Sequence, residues 1–225
     1  MSESVYDLVI LGAGSGGYAA ALRASQLGLK VALIEGDKVG GTCLHRGCIP
    51  TKAYLHAAET ADTVRESDTF GIQASFQGID MAKVGQYRDS IINKLYRGVQ
   101  GLLSSRGVDI IQGWGRLAAP DTIEVGGQRI VGRNIILATG SYSRSIPGLD
   151  ISGRIITSDQ ALQMEWVPQK AVVLGGGVIG LEFASVWRSF GAEVTIIEAL
   201  PHLANNEDEA VSKHLERSFR TRGIA

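Results

Sequence analysis

Tyr6-Asp7-Leu8-Val9-Ile10-Leu11-Gly12-Ala13-Gly14-Ser15-Gly16-Gly17 is a short apolar run that ends in glycines, as a buried parallel strand does where it turns into a helix. The Ala-rich stretch from Tyr18 to Leu27 has strong helix propensity, and Gly28 supplies a stop. Lys30 to Glu35 then reads as a second strand, so the segment is a βαβ unit.

The unit recurs. Gly12, Gly14, Gly17, Gly28 and Glu35 reappear 163 residues later as Gly175, Gly177, Gly180, Gly191 and Glu198, and Leu11, Val31 and Ile34 as Leu174, Val194 and Ile197. Agreement in register across a whole βαβ unit is much stronger than one motif match. Each copy is a G-x-G-x-x-G that follows an apolar strand, opens a helix, and has an acidic residue 23 positions after its first glycine. That is the context a dinucleotide-binding fold requires. The first glycine permits the tight turn, the second admits a pyrophosphate, and the third lets the helix pack on the strand. The phosphates belong at the helix N-terminus, where unpaired N–H groups and the dipole favour an anion. Glu35 and Glu198 can each accept hydrogen bonds from a ribose diol. A carboxylate at 198 repels a 2′-phosphate, and Ala199-Leu200-Pro201-His202 offers no arginine to receive one, so the second site should prefer NAD to NADP.

These copies predict an α/β protein with two Rossmann-like dinucleotide-binding domains in tandem. The polar loop 143–153, with Pro147-Gly148, is the expected boundary, giving domains 1–147 and 148–225. Between the copies, helical patterns run over about 52–66 and 81–105. Shorter β-like pieces cover 108–112, 122–125 and 128–131, the last two joined at Gly126-Gly127 as a hairpin. A further apolar strand, 134–138, ends in Thr139-Gly140-Ser141. The second copy shows two strands and a helical stretch over about 207–222, and so reads as an incomplete domain.

The run Gly40-Gly41-Thr42-Cys43-Leu44-His45-Arg46-Gly47-Cys48-Ile49-Pro50-Thr51-Lys52 holds both cysteines of the chain, just after the first nucleotide signature. Three readings compete. A zinc site could recruit Cys43, Cys48, His45 and His56, although structural zinc sites show shorter C-x2–4-C spacing and a second ligand pair. Two inert buried thiols are possible, although the surroundings are Gly-rich and partly polar. A reversible dithiol/disulfide couple beside a nucleotide site is the third. Residues five apart in a regular helix lie ~8 to 9 Å apart at Cα, whereas a disulfide tolerates at most ~7 Å. If the two are bonded, the helix must be distorted within His45 to Cys48, with Gly47 the expected place.

Hydrophobic content of 44% and charged content of 20% are those of a globular protein. A net charge of −1 gives no reason to expect nucleic acid or an acidic membrane surface as partner. No apolar run approaches the ~20 residues of a membrane span, and no signal or transit peptide is evident. The expected home is the cytoplasm, where a cysteine pair is more often catalytic than structural.

The cysteine run resembles the redox motif of the dihydrolipoamide dehydrogenases, within the flavin-dependent pyridine nucleotide–disulfide oxidoreductases. The likeness extends from Val9-Ile10-Leu11-Gly12 through Ala138-Thr139-Gly140 to Gly175-Gly176-Gly177-Val178-Ile179-Gly180-Leu181-Glu182. That family often has Asn where His45 stands and Ser where Thr51 stands. The resemblance implies FAD at the first site (Gly12, Gly14, Gly17, Glu35, Gly41, Thr42, Lys52, Gly115, Thr139, Gly140, Ser141) and NAD at the second (Gly175, Gly177, Gly180, Glu198). It implies that Cys48 faces the flavin and Cys43 exchanges with a dihydrolipoyl substrate. Lys52, paired with Glu182, would lie near the flavin. No metal is implied.

The implied partners are lipoyl groups on the lipoyl domains of 2-oxo acid dehydrogenase or related complexes, and a second copy in a homodimer. The family takes its proton-accepting His–Glu pair from near the C-terminus of the partner subunit, and nothing here matches it. His202 and His214 read as solvated surface residues. The chain is therefore expected to be an N-terminal portion without turnover of its own. Glutathione-type and mercuric reductases are the alternatives; Glu198 and Val178 argue against the former, which resembles an NADPH enzyme with Tyr in place of Val178.

Overall fold

A computed structural model describes residues 5–225. The chain divides into two compact units: the residues up to Ile49 with Ser90–Asp150, and Pro50–Asp89 with Ile151–Ala225. Its elements run β1 (Tyr6–Leu11), α1 (Ser15–Gln26), β2 (Val31–Glu35), α2 (Gly41–His45), α3 (Cys48–Glu66), α4 (Met81–Ser105), β3 (Asp109–Gln112), β4 (Gly115–Ala119), β5 (Thr122–Val125) and β6 (Gln128–Leu137). They continue with α5 (Ser158–Ala161), β7 (Lys170–Leu174), α6 (Val178–Phe190), β8 (Glu193–Ile197) and α7 (Glu209–Thr221).

In the first unit, six strands lie in the order β3-β2-β1-β6-β5-β4. The strands β3, β2, β1 and the end of β6 are parallel, with Leu8 opposite Val31, Ala32 opposite Asp109, and Leu8 opposite Asn134. Buried apolar strand residues need cover on both faces. Leu8, Ile10, Val31 and Leu33 pack with Ala21, Ala24 and Leu103 on one side, while Val9, Leu11, Ala32 and Ile34 pack with Ile123 and Val125 on the other.

The pieces 128–131 and 134–138 are one strand, not two. The start of β6 pairs antiparallel with β5, Val131 opposite Thr122, and its remainder pairs parallel with β1 from Gly132 opposite Tyr6. Gly132 marks the change of partner because a Cβ there would lie 2.6 Å from the Val9 side chain. The strand β4 has no clear sequence signal; it forms because β5 offers it an antiparallel edge, Gly115 opposite Val125.

In the second unit β7 and β8 pair in parallel, Ala171 opposite Val194. Ala225 joins the free edge of β8, its carbonyl accepting from Ile196 N–H at 2.7 Å and its N–H donating to Val194 O at 3.0 Å. The core gathers Phe183, Val186, Trp187 and Phe190 of α6 with Tyr54 and Ala58 of α3 and Phe219 of α7.

A buried polar clasp completes this core. Tyr54 Oη donates to Leu162 O at 2.9 Å, and the Arg88 guanidinium donates to Tyr54 Oη at 3.1 Å and to the same carbonyl. Burial holds the Tyr54 phenol above its ordinary range against the opposing charge of Arg88. Burial also works against the Arg88 cation, but Asp89 and Tyr54 more than offset it.

Removing Arg88 leaves these buried acceptors without a charged donor. Arg88→Ala is expected to cost about 2–4 kcal/mol of stability and Tyr54→Phe about 1 kcal/mol, read from urea unfolding followed by far-UV circular dichroism.

Candidate functional site

Each glycine signature performs three distinct jobs. Gly12 and Gly175 stand at φ +100° and +105°, in the left-handed region that a turn out of a strand demands. Gly17 and Gly180 lie so close to the strand end that a Cβ would come within 1.8 Å of Gly12 O and 2.2 Å of Gly175 O. Gly14 and Gly177, the middle glycines, face open space: a Cβ at Gly177 meets nothing within 4 Å, and one at Gly14 only Gly41 Cα at 3.9 Å. An open glycine at the first turn of a helix, with N–H groups unpaired within the helix, is a cradle that fits a pyrophosphate.

The acidic residues are held in the same way in both copies. Glu35 accepts from Ala13 N–H at 2.7 Å and Asp37 N–H at 2.8 Å. Glu198 accepts from the equivalent donors, Gly176 N–H at 2.6 Å and Leu200 N–H at 2.8 Å. The Leu200 and Gly176 N–H groups hold the Glu198 carboxyl below the usual carboxylate range. Each carboxylate is thereby fixed beside the glycine loop with lone pairs left over for a diol.

The first unit also brings the cysteine segment to its own glycine loop. Gly40 N–H donates to Ala13 O at 2.8 Å. Gly41, at φ +58°, lies against Gly14, where a Cβ would stand 2.6 Å from Gly14 Cα. Thr42 is exposed on the first turn of α2. The backbone of Thr139 runs beside Gly12, and Gly140 and Ser141 follow in an exposed turn. Gly115 packs against Leu11, Ile34 and Ile123, which leaves no room for a side chain.

Cys43 and Cys48 are joined in a disulfide with Cα atoms 4.6 Å apart. The helix breaks to permit this. The first turn, α2, stops at His45, Arg46 turns out at φ −140° and ψ 10°, and α3 begins at Cys48. The break falls within His45 to Cys48 as expected, over Arg46 and Gly47. Gly47 contributes closeness: its Cβ would lie 3.1 Å from Thr42 O and 3.4 Å from Cys43 Cα. Pro50 is accommodated in the first turn of α3, where no intrahelical donor is needed.

The histidines weighed as zinc partners face elsewhere. His45 Nε2 lies 2.9 Å from Val39 O, with its ring edge-on to Tyr96, and His56 Nδ1 is 3.5 Å from Glu59. His202 is one-third exposed and has a partner, its Nδ1 sitting 3.2 Å from Glu216. Glu216 also accepts from Leu203 N–H at 3.1 Å, which lowers its carboxyl and ties the loop after β8 to α7.

In the second unit Lys52, on α3, pairs with Glu182, on the opening turns of α6; Lys52 is 58% exposed and Glu182 21%. The two side chains form an ion pair, with Lys52 largely in solvent. Among the described residues no helix is long and apolar enough to cross a membrane.

The chain thus presents two glycine loops of one pattern and, beside the first, one closed cysteine pair. The profile of the family described as pyridine nucleotide-disulphide oxidoreductase matches residues 6–225, and the chain belongs to that family. It is 43% identical over 97% of its length to a dihydrolipoyl dehydrogenase of Bacillus subtilis, and 41% identical over 97% to one of Pseudomonas aeruginosa. The HOCl-induced flavoprotein disulfide reductase RclA of Escherichia coli shares its fold with a TM-score of 0.79 and 30% identity, over 97% of this chain and 48% of that one. The chain spans about half the length of the curated relatives it matches, 49% of each of the two named here. Membership of this family implies a flavin and a pyridine nucleotide, and the open glycine at each helix start fits such groups.

The glycine roles separate experimentally. Gly177→Ala should leave the thermal midpoint unchanged but weaken dinucleotide binding at that loop at least tenfold, if the loop is the cradle its geometry fits, whereas Gly180→Ala should cost about 1–3 kcal/mol of stability by overpacking. Paired thermal melts and nucleotide titrations check both. Thiol titration under denaturing conditions should find no free thiol in the oxidised chain and two after reduction.

Proposed function

We propose that this chain carries the flavin and disulfide chemistry of a dihydrolipoyl dehydrogenase, oxidising dihydrolipoyl groups to lipoyl with NAD+ as acceptor. The observation that carries this reading is the Cys43–Cys48 disulfide, on a broken helix whose leading glycine, Gly41, lies against Gly14 of the first nucleotide loop. The unit of the residues up to Ile49 with Ser90–Asp150 is assigned to FAD, and the unit of Pro50–Asp89 with Ile151–Ala225 to NAD. The first site is assigned Gly12, Gly14, Gly17, Glu35, Gly41, Thr42, Gly115, Thr139, Gly140 and Ser141. The second is assigned Gly175, Gly177, Gly180 and Glu198.

A substrate thiolate attacks Sγ of Cys43, forming a mixed disulfide and releasing Cys48 as a thiolate. The second substrate thiolate then attacks the substrate's own sulfur, closing the lipoyl disulfide and freeing Cys43. Two electrons pass to the cysteine pair, and the dithiol gives up two protons. Bound FAD would accept this electron pair and deliver it to NAD+. The proton acceptor is assigned to the partner subunit of a homodimer, and the substrate to lipoyl domains of 2-oxo acid dehydrogenase or related complexes. The cytoplasm is the proposed location. The identity to dihydrolipoyl dehydrogenases supports lipoyl over mercuric or glutathione chemistry.

Anaerobic addition of dihydrolipoamide to the FAD-loaded chain should reduce the flavin, followed by its visible absorbance. Cys43→Ser and Cys48→Ser should each slow this at least a hundredfold. No flavin reduction by dihydrolipoamide in the presence of retained FAD would overturn the reading. NAD+ should bind at least tenfold more tightly than NADP+, and Glu198→Ala should narrow that ratio.

A further inference from the structure

Trp114 is 83% exposed, yet its ring is seated. It lies flat on the backbone of Gly36: a Cβ at Gly36 would come within 2.5 to 2.8 Å of the indole atoms. The segment that carries it is anchored on both sides. Gly113 N–H donates to Glu35 O at 2.7 Å, and Gln112 Nε2 donates to Asp37 O at 2.8 Å. One face of the indole is therefore fixed on the chain immediately after Glu35, and the other is free.

The order of groups in an adenine dinucleotide gives that free face its occupant. Pyrophosphate, ribose and adenine follow one another, and the fold sets the pyrophosphate at the glycine loop and the ribose at the acid that ends the second strand. Adenine must then lie one step beyond Glu35, past the carboxyl end of β2 and beside the segment leaving β3. Trp114 stands at that step. The base is flat, aromatic and poorly solvated on its faces, and an aromatic side chain offers it a surface to stack on. The counterpart of Gly36 in the second copy is Ala199, so the bare glycine seat is not repeated there.

We propose that Trp114, seated on Gly36, is the stacking platform for the adenine of the dinucleotide at the first site, and so distinguishes that site from the second. This rests on the assignment of FAD to the first site. The test uses the full chain freed of flavin, with ADP as a probe that lacks the isoalloxazine ring, followed by tryptophan fluorescence and calorimetry. ADP should quench the wild-type emission. Trp114→Ala should remove the quench, although Trp166 and Trp187 remain, and should weaken ADP and FAD about tenfold at an unchanged thermal midpoint. Trp114→Phe should keep the affinity within about threefold, and Gly36→Ala, which lifts the indole off its seat, should lose the quench with Trp114 still present.

A surviving quench in Trp114→Ala, or unchanged affinity for both ADP and FAD, overturns the platform while leaving the FAD assignment intact. Failure of the wild-type chain to bind FAD overturns the assignment and the platform together.

Discussion

The contact of a helix glycine with a strand-end carbonyl is the constraint from which both nucleotide loops follow. Gly17 approaches Gly12 O, and Gly180 approaches Gly175 O, more closely than any side chain permits. That approach sets the helix N-terminus directly above the end of its strand. The middle glycine is then left facing open space, and the acid at the end of the second strand can reach back to the loop. The recurrence of the same two backbone bonds, to Glu35 in one copy and to Glu198 in the other, is the consequence of the same packing made twice.

The redox segment obeys a second constraint, competition between helix geometry and the reach of a disulfide. A continuous helix from Gly41 onward would hold Cys43 and Cys48 too far apart. The chain leaves helical geometry at Arg46-Gly47 and brings the two Cα atoms to 4.6 Å. Gly47 has no strained torsion of its own; its contribution is the space that allows α3 to start against Thr42 and Cys43. Further along α3, in the second unit, the clasp of Tyr54, Arg88 and Leu162 and the ion pair of Lys52 with Glu182 fix that part of the helix by buried hydrogen bonds and charge.

Much of this was legible in the residues because the signals are local. The glycine spacing, the acid 23 residues on, the helices near 52–66 and 81–105 and the bend between the cysteines each depend on a few neighbouring residues. The continuous strand β6 was not legible, because Gly132-Arg133 looks like a break until Tyr6 and Val9 are beside it. Nor was β4, whose pairing is supplied wholly by β5. His202 read as a surface residue because Glu216, its partner, lies on a helix that only the packing brings near. Trp114 gave no signal at all, since nothing in the chain between positions 36 and 114 announces that a glycine will lie under an indole.

The sequence by itself determined the two βαβ units, their glycine and carboxylate positions, and the requirement that a bonded cysteine pair break its helix. These follow from backbone torsions, hydrogen-bond spacing and the length of a disulfide, which act over at most a few dozen residues. Only the tertiary structure decided which carbonyl each glycine meets, that Lys52 finds Glu182, that a buried arginine joins Tyr54 to Leu162, and where Trp114 rests. Those are contacts between distant segments, and their energies depend on burial and on partners that no local pattern specifies.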